Sequence, residues 1–449
     1  MNQTQHACAN LRELDCEILV LGAGPAGMSA VNAAATAGLA IILADENPQP
    51  GGQIWRGGAA LWRDPRSQQL WQGIQASRNV TCLWRARLVF IEAQSAVFES
   101  PAGAIRVRWN KLIIANGGRE LLLPFPGWTL PGVMGAGGLQ ALIKSGMPVR
   151  GKRILIAGSG PLLLAAAATA QAAGAEVIAI AEHQSMARLA GFLARLARLA
   201  PKKVGQALSL RWQLRASPYL HDARVLAVAA QHTGLRLTLQ QAQHQRQVDC
   251  DLLACGFGLL PNLEVARQLN CATEVSHGFL RGVVDQLQRS SQAGIWLAGE
   301  VCGIGGVEQA LVQGRIAGLA AIGQEQAALA ASLQRQRRAS LAFADLLAQS
   351  FKVDSSLKAL SQDSTLVCRC EDVSKAQLLG FQDWRSAKLQ TRLGMGPCQG
   401  RICASACQVL FDWPPADLRP PLFPAKVSTL CALPVHNQQA ASQDTGKTL

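Results

Sequence analysis

A glycine-rich loop near the N-terminus restricts the possible folds of this chain more than any other feature. Gly22, Gly24 and Gly27 lie between a short apolar strand at residues 17–21 and a predicted helix at residues 28–37. In this arrangement the first glycine makes a tight turn and the second lets the backbone approach a pyrophosphate. The third lets the helix close on the strand, so that the helix N-terminus faces the phosphates. The pattern predicts a dinucleotide-binding βαβ unit.

The second strand of this unit is predicted at residues 39–44 and ends at two carboxylates, Asp45 and Glu46. An acidic residue about twenty positions after the glycines holds the ribose hydroxyls in such units. Asp45 is placed best for this role, and Glu46 is the alternative.

Three later segments favour FAD over NAD as the dinucleotide. Residues 47–53 place a Gly-Gly turn just after the acid. Residues 112–118 resemble the strand-to-loop segment of flavoproteins with two dinucleotide domains, with Asn116 where threonine is usual. Residues 294–300 resemble the segment that reaches the flavin ribityl chain, with Glu300 in place of aspartate. Both replacements keep a polar group at the position.

A second glycine loop follows the predicted strand at residues 152–157. Gly158 and Gly160 occupy the first two glycine positions, but Leu163 stands where the third glycine is expected. A leucine there is expected to hold the helix further from the strand or to shift it. The loop either binds a second nucleotide, with Glu182 favouring NAD over NADP, or keeps only the fold.

Two dinucleotide units, one inserted in the other, predict the α/β architecture of two-dinucleotide-binding flavoprotein reductases. Neither unit contains a Cys-x-x-Cys pair, which argues against disulfide chemistry. The predicted division is an FAD-binding domain at 15–130 and 275–325, an inserted NAD(P)-type domain at 131–274, a helical linker at 326–363, a cysteine domain at 364–413 and an extended, proline-containing tail at 414–449.

Four cysteines in the predicted cysteine domain have the spacing of a metal site. Cys368 and Cys370 form one pair, and Cys398 and Cys403 form the other. Four thiolates fit a [2Fe–2S] cluster or a structural zinc ion, and the presence of a flavoprotein unit favours the cluster. The glycine-rich loop around the second pair can direct backbone amides at the sulfur atoms. Cys407 is either a substitute ligand or one side of a following helix.

Composition excludes several classes of protein. The 449-residue chain carries a net charge of +14, but its basic residues are dispersed without interleaved aromatic residues, which argues against nucleic-acid binding. A solvated surface or an acidic partner explains the charge better. No apolar run reaches the ~18 residues of a membrane span, and no secretory signal is recognisable, so a cytoplasmic protein is expected. Peripheral membrane association remains open.

Longer motifs carry a family resemblance that spans residues 16 to about 424. The chain resembles the α subunits of multi-subunit, flavin-dependent amino-acid dehydrogenases, a group that includes the A subunit of opine oxidase, hydroxyproline and proline dehydrogenase α subunits and the B subunit of hydrogen cyanide synthase. The motifs that carry it are DENPQPGGQIWR (45–56), LPFPGWTLPGVMGAGG (123–138), GFGLLPN (256–262), GEVCGIGG (299–306), CRCEDV (368–373) and GMGPCQGRIC (394–403).

The resemblance implies a division of labour between subunits. A separate flavoprotein β subunit oxidises the amine, and the α subunit forwards the electrons through FAD and a [2Fe–2S] cluster. A small ferredoxin-like subunit is a further expected partner. The resemblance assigns FAD contacts to Gly22, Gly24, Gly27, Asp45, Gly52, Gln53, Gly117, Gly299 and Glu300, and cluster ligands to Cys368, Cys370, Cys398 and Cys403.

Potential acid–base catalysts are scattered in the sequence. Seven histidines are dispersed along the chain, and no general acid–base constellation is recognisable. The leading hypothesis is therefore an electron-transfer subunit of an amino-acid or imino-acid dehydrogenase. The alternative is a self-sufficient NAD(P)H-dependent flavoprotein reductase with an iron–sulfur centre, which depends on the second glycine loop.

Overall fold

The N-terminal part of the chain forms a sheet with helices on it. The computed structural model describes residues 11–416 and 418–433, so residues 417 and 434–449 of the predicted tail lie outside the described residues. The first elements are β1 (Leu11–Leu21), α1 (Pro25–Ala34), β2 (Ile41–Ala44), α2 (Pro65–Ala76), β3 (Val80–Leu83), β4 (Arg87–Glu92), β5 (Ser95–Ser100), β6 (Gly103–Ile114) and β7 (Gly118–Glu120).

Strands β3, β2, β1 and β6 lie side by side in parallel, and β4, β5 and β6 form an antiparallel meander. Strand β1 begins six residues earlier than the apolar run at 17–21 predicts. Its first part pairs with β6 from Leu11 opposite Ala104 to Cys16 opposite Trp109. The strand is therefore lengthened by a tertiary partner, because its first residues are mostly polar and carry no strong apolar pattern.

The second part of the chain repeats the same plan. Its elements are β8 (Val133–Gly135), α3 (Ala136–Lys144), β9 (Arg153–Gly158), α4 (Leu162–Ala172), β10 (Glu176–Glu182), α5 (Met186–Leu199), α6 (Pro201–Gln213), β11 (Tyr219–Leu220), β12 (Ala223–Ala230), β13 (Leu235–Gln241), β14 (His244–Cys250) and β15 (Leu252–Gly256). Strands β11, β10, β9, β15 and β8 form a parallel sheet, and β12, β13 and β14 form a meander. The duplication thus extends beyond the βαβ unit.

The chain then returns to the first sheet. The next elements are β16 (Leu259–Pro261), α7 (Glu264–Gln268), β17 (Thr273–Ser276), β18 (Phe279–Gly282), β19 (Ile295–Leu297), α8 (Gly306–Ala321), α9 (Glu325–Ala328) and α10 (Ala331–Ser350). Strand β16 pairs with β7, and β19 pairs in parallel with the end of β6. Helix α8 lies directly on α1, because a Cβ at Gly314 would stand 2.1 Å from the Ala26 carbonyl oxygen.

A small cysteine-rich unit completes the structure. It contains β20 (Leu366–Cys368), β21 (Val373–Ser374), α11 (Trp384–Thr391) and α12 (Cys403–Phe411), and α13 (Val427–Leu430) follows it. Its core includes Val367, Trp384 and Leu393. Trp128 donates a hydrogen bond to the Leu366 carbonyl at 2.6 Å, which ties the unit to the sheets. Within the described residues, no helix has the length and apolarity that crossing a membrane requires.

Candidate functional site

The first glycine loop is shaped by contacts that exclude side chains. Gly22 has φ +99°, and a Cβ there would lie 2.4 Å from the Ala115 carbonyl oxygen. A Cβ at Gly27 would lie 1.8 Å from the Gly22 carbonyl oxygen. Gly52 of the later Gly-Gly turn packs against Gly24, since its Cβ would stand 2.9 Å from the Gly24 Cα. Two glycine segments that are distant in sequence therefore form one narrow cradle for a backbone-bound phosphate.

Asp45, directly after β2, binds this loop. Its Oδ2 accepts a hydrogen bond from the Ala23 amide at 2.6 Å. Its Oδ1 accepts from the backbone and side-chain nitrogens of Asn47, both at 2.8 Å. A carboxylate has about four acceptor positions, so one position on Oδ2 is left for a ribose hydroxyl. Glu46 is exposed, within Coulombic range of Arg87 and Arg401.

The segment after β6 lies beside open space at the same end of the sheet. Gly117 has φ +67°, and a Cβ there would meet nothing within 4 Å. The Asn262 side chain donates a hydrogen bond to the Asn116 carbonyl at 3.0 Å, and the backbone N–H of Asn262 donates to the Gly117 carbonyl at 3.1 Å. The segments at 112–118 and 256–262 are therefore in contact, and the space beside Gly117 is open.

Glu300 contributes an unsatisfied buried oxygen. Its Oε1 accepts a hydrogen bond from the Gly306 amide at 2.8 Å, whereas its Oε2 is buried and has no partner. Burial raises the pKa of Glu300 from its ordinary 4.5 to about 7. An unpaired buried acceptor is costly, and a hydroxyl-bearing ligand supplies the missing donor. The glycine cradle, the space beside Gly117 and this oxygen all fit FAD. Gln53, another expected contact, is exposed and accepts from Arg56 at 2.9 Å.

In the second glycine loop, Leu163 is accommodated by a glycine on another strand. The leucine is completely buried, and a Cβ at Gly256 would stand 3.2 Å from its Cδ2. Gly158 also lies against the same strand, because a Cβ there would lie 1.9 Å from the Gly256 carbonyl oxygen. The larger residue in the helix is thus compensated by the missing side chain at the end of β15.

Glu182, the predicted ribose ligand of this second unit, is bound by the protein itself. Its Oε2 accepts from the Gly160 amide at 2.9 Å and from the Tyr219 hydroxyl at 3.3 Å, and its Oε1 accepts from the Gln184 amide at 3.0 Å. The side chain is fully buried, and burial raises its pKa. Few acceptor positions and no exposed surface remain for a ribose.

The segment after α10, residues 351–360, covers the second loop. The Phe351 ring lies over Gly160, 3.5 Å from the position of a Cβ there. Asp354 is 3.9 Å from the guanidinium of Arg188. Leu357 and Leu360 line the remaining void beside Gly158, which measures about 10 Å³. That volume is about the minimum for one water molecule. We call residues 351–360 the covering segment.

The four predicted cysteine ligands are brought into mutual contact. Cys370 Sγ lies 3.8 Å from Cys398 Sγ. The Cys403 thiol hydrogen-bonds with Cys368 and Cys398, which lowers the pKa of Cys368 to about 6 and that of Cys398 to about 5. The same contacts, chiefly that with Cys368, raise the pKa of Cys403. Cys368 and Cys403 are buried, whereas Cys370 is exposed.

Backbone amides surround these sulfur atoms. Hydrogen bonds from the amides of Gly394, Glu371 and Cys370 reach Cys368, and those of Ile402 and Gly400 reach Cys398. Gly394 and Gly400 both have positive φ and pack on the Trp384 ring. Glycine therefore lets the loop fold closely enough to direct its amides at thiolates, a pattern that fits a sulfur-ligated centre.

The four thiols contact one another in a chain that runs from Cys370 through Cys398 and Cys403 to Cys368. Among residues 11–416 and 418–433, no three His, Cys, Asp or Glu side chains converge in a geometry that can hold a metal ion. Cys407 is fully buried one turn after Cys403, in the core of the cysteine-rich unit, and burial raises its pKa. Its position agrees with the inner side of a helix.

Arg401 connects the cysteine loop to the rest of the protein. Its guanidinium lies 3.8 Å from the centroid of the Phe423 ring and 3.9 Å from Glu264, and it donates to the Leu422 carbonyl at 2.6 Å. The side chain borders a cavity of about 610 Å³ between the cysteine-rich unit, the tail and β16. The cationic side chains that line it, Arg119, Arg267, Arg385, Lys388, Arg401 and Arg419, outnumber the acidic ones, Glu264 and Asp383.

Comparison with known proteins places this geometry in a family. The sequence profile of pyridine nucleotide-disulphide oxidoreductases matches residues 16–327. The chain belongs to this family. It is a flavin-dependent oxidoreductase, and the region that carries the glycine loops and Glu300 is the region that matches.

Two curated relatives match almost the whole chain. Hydrogen cyanide synthase subunit HcnB of Pseudomonas aeruginosa is 32% identical, with 87% of this chain and 91% of the relative covered. The A subunit of opine oxidase from Rhizobium meliloti (strain 1021) is 31% identical, with 93% and 98% covered. Both are subunits of larger enzymes. The expected resemblance to subunits of amino-acid dehydrogenases and oxidases is thereby confirmed.

A solved structure supports the fold. L-proline dehydrogenase from P. horikoshii aligns with a TM-score of 0.65 at 16% identity, covering 94% of this chain and 80% of that chain. At this identity the likeness concerns the fold alone.

Sequence reasoning did not foresee the covering segment or the role of Gly256. Phe351 and Gly160 are distant in sequence, and a phenylalanine after a helix carries no signal of such a contact. Gly256 did carry a signal, because a glycine at the end of a buried strand often marks a close approach of another group. The hydrogen bonds that the carboxylates of Asp45 and Glu182 accept likewise depend on the folded geometry.

Proposed function

We propose that this chain is the electron-transfer subunit of a multi-subunit amino-acid or imino-acid dehydrogenase of the opine, hydroxyproline or proline type. The proposal includes the domain division at 15–130 with 275–325, 131–274, 326–363, 364–413 and 414–449. The single observation that carries it is the contact of four cysteine thiols in a unit docked against a flavoprotein fold. The two relatives, both named as enzyme subunits, support it.

When bound, FAD supplies a carrier that accepts and releases electrons in pairs or singly. The chain's own residues position it. Gly22, Gly24 and Gly27 admit the pyrophosphate to the N-terminus of α1, and Asp45 keeps one acceptor position for the ribose. Glu300 Oε2, which is buried without a partner, would accept a hydrogen bond from a ribityl hydroxyl. Gly52, Gln53, Gly117 and Gly299 complete the proposed contacts.

When bound, a [2Fe–2S] cluster supplies one-electron transfer. Cys368, Cys370, Cys398 and Cys403 are the proposed ligands. The surrounding amides stabilise negative charge on the sulfur atoms, and the buried position of Cys368 and Cys403 excludes water from one side of the centre. The exposed Cys370 leaves the other side accessible to a partner.

Amine oxidation is assigned to a partner subunit. The cation-lined cavity beside Arg401 supports an acidic partner surface. The proposed partners are an amine-oxidising flavoprotein β subunit and a small ferredoxin-like subunit.

The alternative, an NAD(P)H-dependent reductase, needs a dinucleotide at Gly158 and Gly160. Phe351 lies over that loop, Glu182 is bound internally, and the void beside Gly158 holds about one water molecule. These contacts favour a second unit that keeps the dinucleotide-binding fold but does not bind a nicotinamide dinucleotide.

The experiment compares the isolated, FAD-loaded chain with the complex purified from its native host, both under anaerobic conditions. In the complex, candidate amines such as opines or proline should bleach the flavin of this chain. In the isolated chain, neither amines nor NADH should bleach it. Rapid bleaching of the isolated chain by an amine would overturn the proposal, and rapid bleaching by NADH would establish the reductase instead.

A further inference from the structure

The strongest unexplained feature of the surface is the helical hairpin formed by α5 and α6. Residues 186–215, which we call the basic hairpin, contain seven cationic and no acidic residues. The cations are Arg188, Arg195, Arg198, Lys202, Lys203, Arg211 and Arg215. Only Arg188 has an ion pair in the part of the chain that the structure describes, at 3.9 Å from Asp354.

The hairpin is anchored by one side and free on the other. Phe192 and Leu196 of α5 pack against Leu346 of α10. The Lys203 ammonium lies 4.4 Å from the centroid of the Phe343 ring. Helix α6, in contrast, buries none of its residues completely. The outer face of the hairpin is therefore not needed for the core.

Large apolar side chains project from this free face. Trp212 is 72% exposed and Leu208 is 62% exposed. They are four residues apart on one helix and so lie on the same face. The Arg215 guanidinium stands 5.2 Å from the centroid of the Trp212 ring. Met186 and Leu193, two turns apart on α5, are also exposed. Apolar and cationic side chains are thus combined on the solvent-facing side of α6.

We propose that the basic hairpin docks on an anionic membrane surface, with Leu208 and Trp212 inserted at the level of the lipid headgroups. Interfacial helices combine tryptophan and leucine with lysine and arginine in this manner. The cores of protein interfaces, in contrast, are depleted of charged residues. Four exposed cations of the hairpin have no ion pair in the described part of the chain and are complementary to phosphate-bearing lipids: Arg195, Arg198, Lys202 and Arg215.

The two inserted side chains bury little area, so the docking is reversible and requires anionic lipid. It also needs no membrane-spanning helix. The inference does not depend on the proposed electron-transfer role, because vesicle binding is measured without turnover.

The test is co-sedimentation of the full, FAD-loaded chain with vesicles of phosphatidylglycerol and phosphatidylcholine, and with vesicles of phosphatidylcholine alone. We expect binding only to the anionic vesicles, with loss of binding at high salt. The double variant Leu208→Ala and Trp212→Ala should bind at least about tenfold more weakly. Val275→Ala is the matched control, since Val275 is 67% exposed outside the hairpin. Retained FAD shows that each variant folds.

A charge-reversal variant, Arg195→Glu with Arg198→Glu and Lys202→Glu, should abolish binding to the anionic vesicles. Absence of wild-type binding to those vesicles would overturn the proposal. So would binding that the Leu208 and Trp212 substitutions leave unchanged, because insertion would then play no part. Loss of complex assembly in the charge-reversal variant, without any vesicle binding by the wild type, would identify the hairpin as a protein interface instead.

Discussion

Glu300 provides a prediction that can be worked through quantitatively. In the FAD-free chain its Oε2 is buried without a partner, and burial raises its pKa to about 7. A ribityl hydroxyl that donates to this oxygen favours the carboxylate and lowers the pKa again. FAD binding therefore releases a proton between about pH 6 and pH 8, and FAD affinity must rise with pH in that window.

The size of the effect follows from the ionised fraction. With a pKa of about 7 in the free chain, roughly a tenth of Glu300 is ionised at pH 6 and roughly nine tenths at pH 8. If FAD binds the ionised form, its affinity rises about tenfold, or about 1.4 kcal/mol, between these pH values. In Glu300→Gln the affinity should be independent of pH there and weaker at pH 8 by about 1.5–3 kcal/mol, the contribution of a hydrogen bond to a charged group.

The assay is the dissociation constant of FAD, measured by fluorescence titration of the stripped protein at several pH values. Glu308→Gln is the matched control, because Glu308 lies in the first turn of α8, near the Gly306 amide that Glu300 binds, but is half exposed and pairs with Arg66. It should keep the pH dependence of the wild type. A wild-type affinity that is flat or falls with pH, or an unchanged slope in Glu300→Gln, would refute the assigned role of this carboxyl.

Three further substitutions test the other sites. Gly27→Val should yield a colourless, FAD-free protein, because a Cβ there would stand 1.8 Å from a carbonyl oxygen. The control Gly191→Ala, whose Cβ meets no atom within 4 Å, should keep the flavin spectrum. A yellow valine variant would contradict the assignment of this loop to FAD binding. Cys398→Ser should lose the bound metal and Cys407→Ser should retain it, as measured by elemental analysis; equal metal in both variants would exclude the assigned ligand set. Phe351→Ala should uncover the second loop, so that the variant binds a dinucleotide in a calorimetric titration and the wild type does not. Equal binding by both proteins would show that the covering segment does not block the loop.

The parts of the fold that depend on local pattern were predictable from sequence. The spacing of Gly22, Gly24 and Gly27 indicates the first unit, and a Cβ at Gly22 or Gly27 would collide with the backbone. The outline of the second unit, including Glu182 after its strand, follows from the same pattern. The four cysteines were identifiable as a set, because their spacing differs from that of isolated buried cysteines.

The remaining features depend on contacts between distant residues. The early start of β1 requires the opposite strand β6, whose register is not visible in residues 11–16. Leu163 fits because Gly256 has no side chain, and the second loop is covered because Phe351 lies over Gly160. Such contacts arise from tertiary packing, and local propensity carries no record of them.

The most direct test of the central claim, that the four thiols form an electron-carrying centre behind the flavin, is made on the full chain purified without oxygen. Iron, sulfide, zinc and FAD are quantified, and electron paramagnetic resonance spectra are recorded during stepwise one-electron reduction. The account predicts two irons and two sulfides per FAD, as a [2Fe–2S] centre requires, with a paramagnetic signal that appears on reduction and is lost in Cys398→Ser. One zinc ion per chain with no such signal would contradict it.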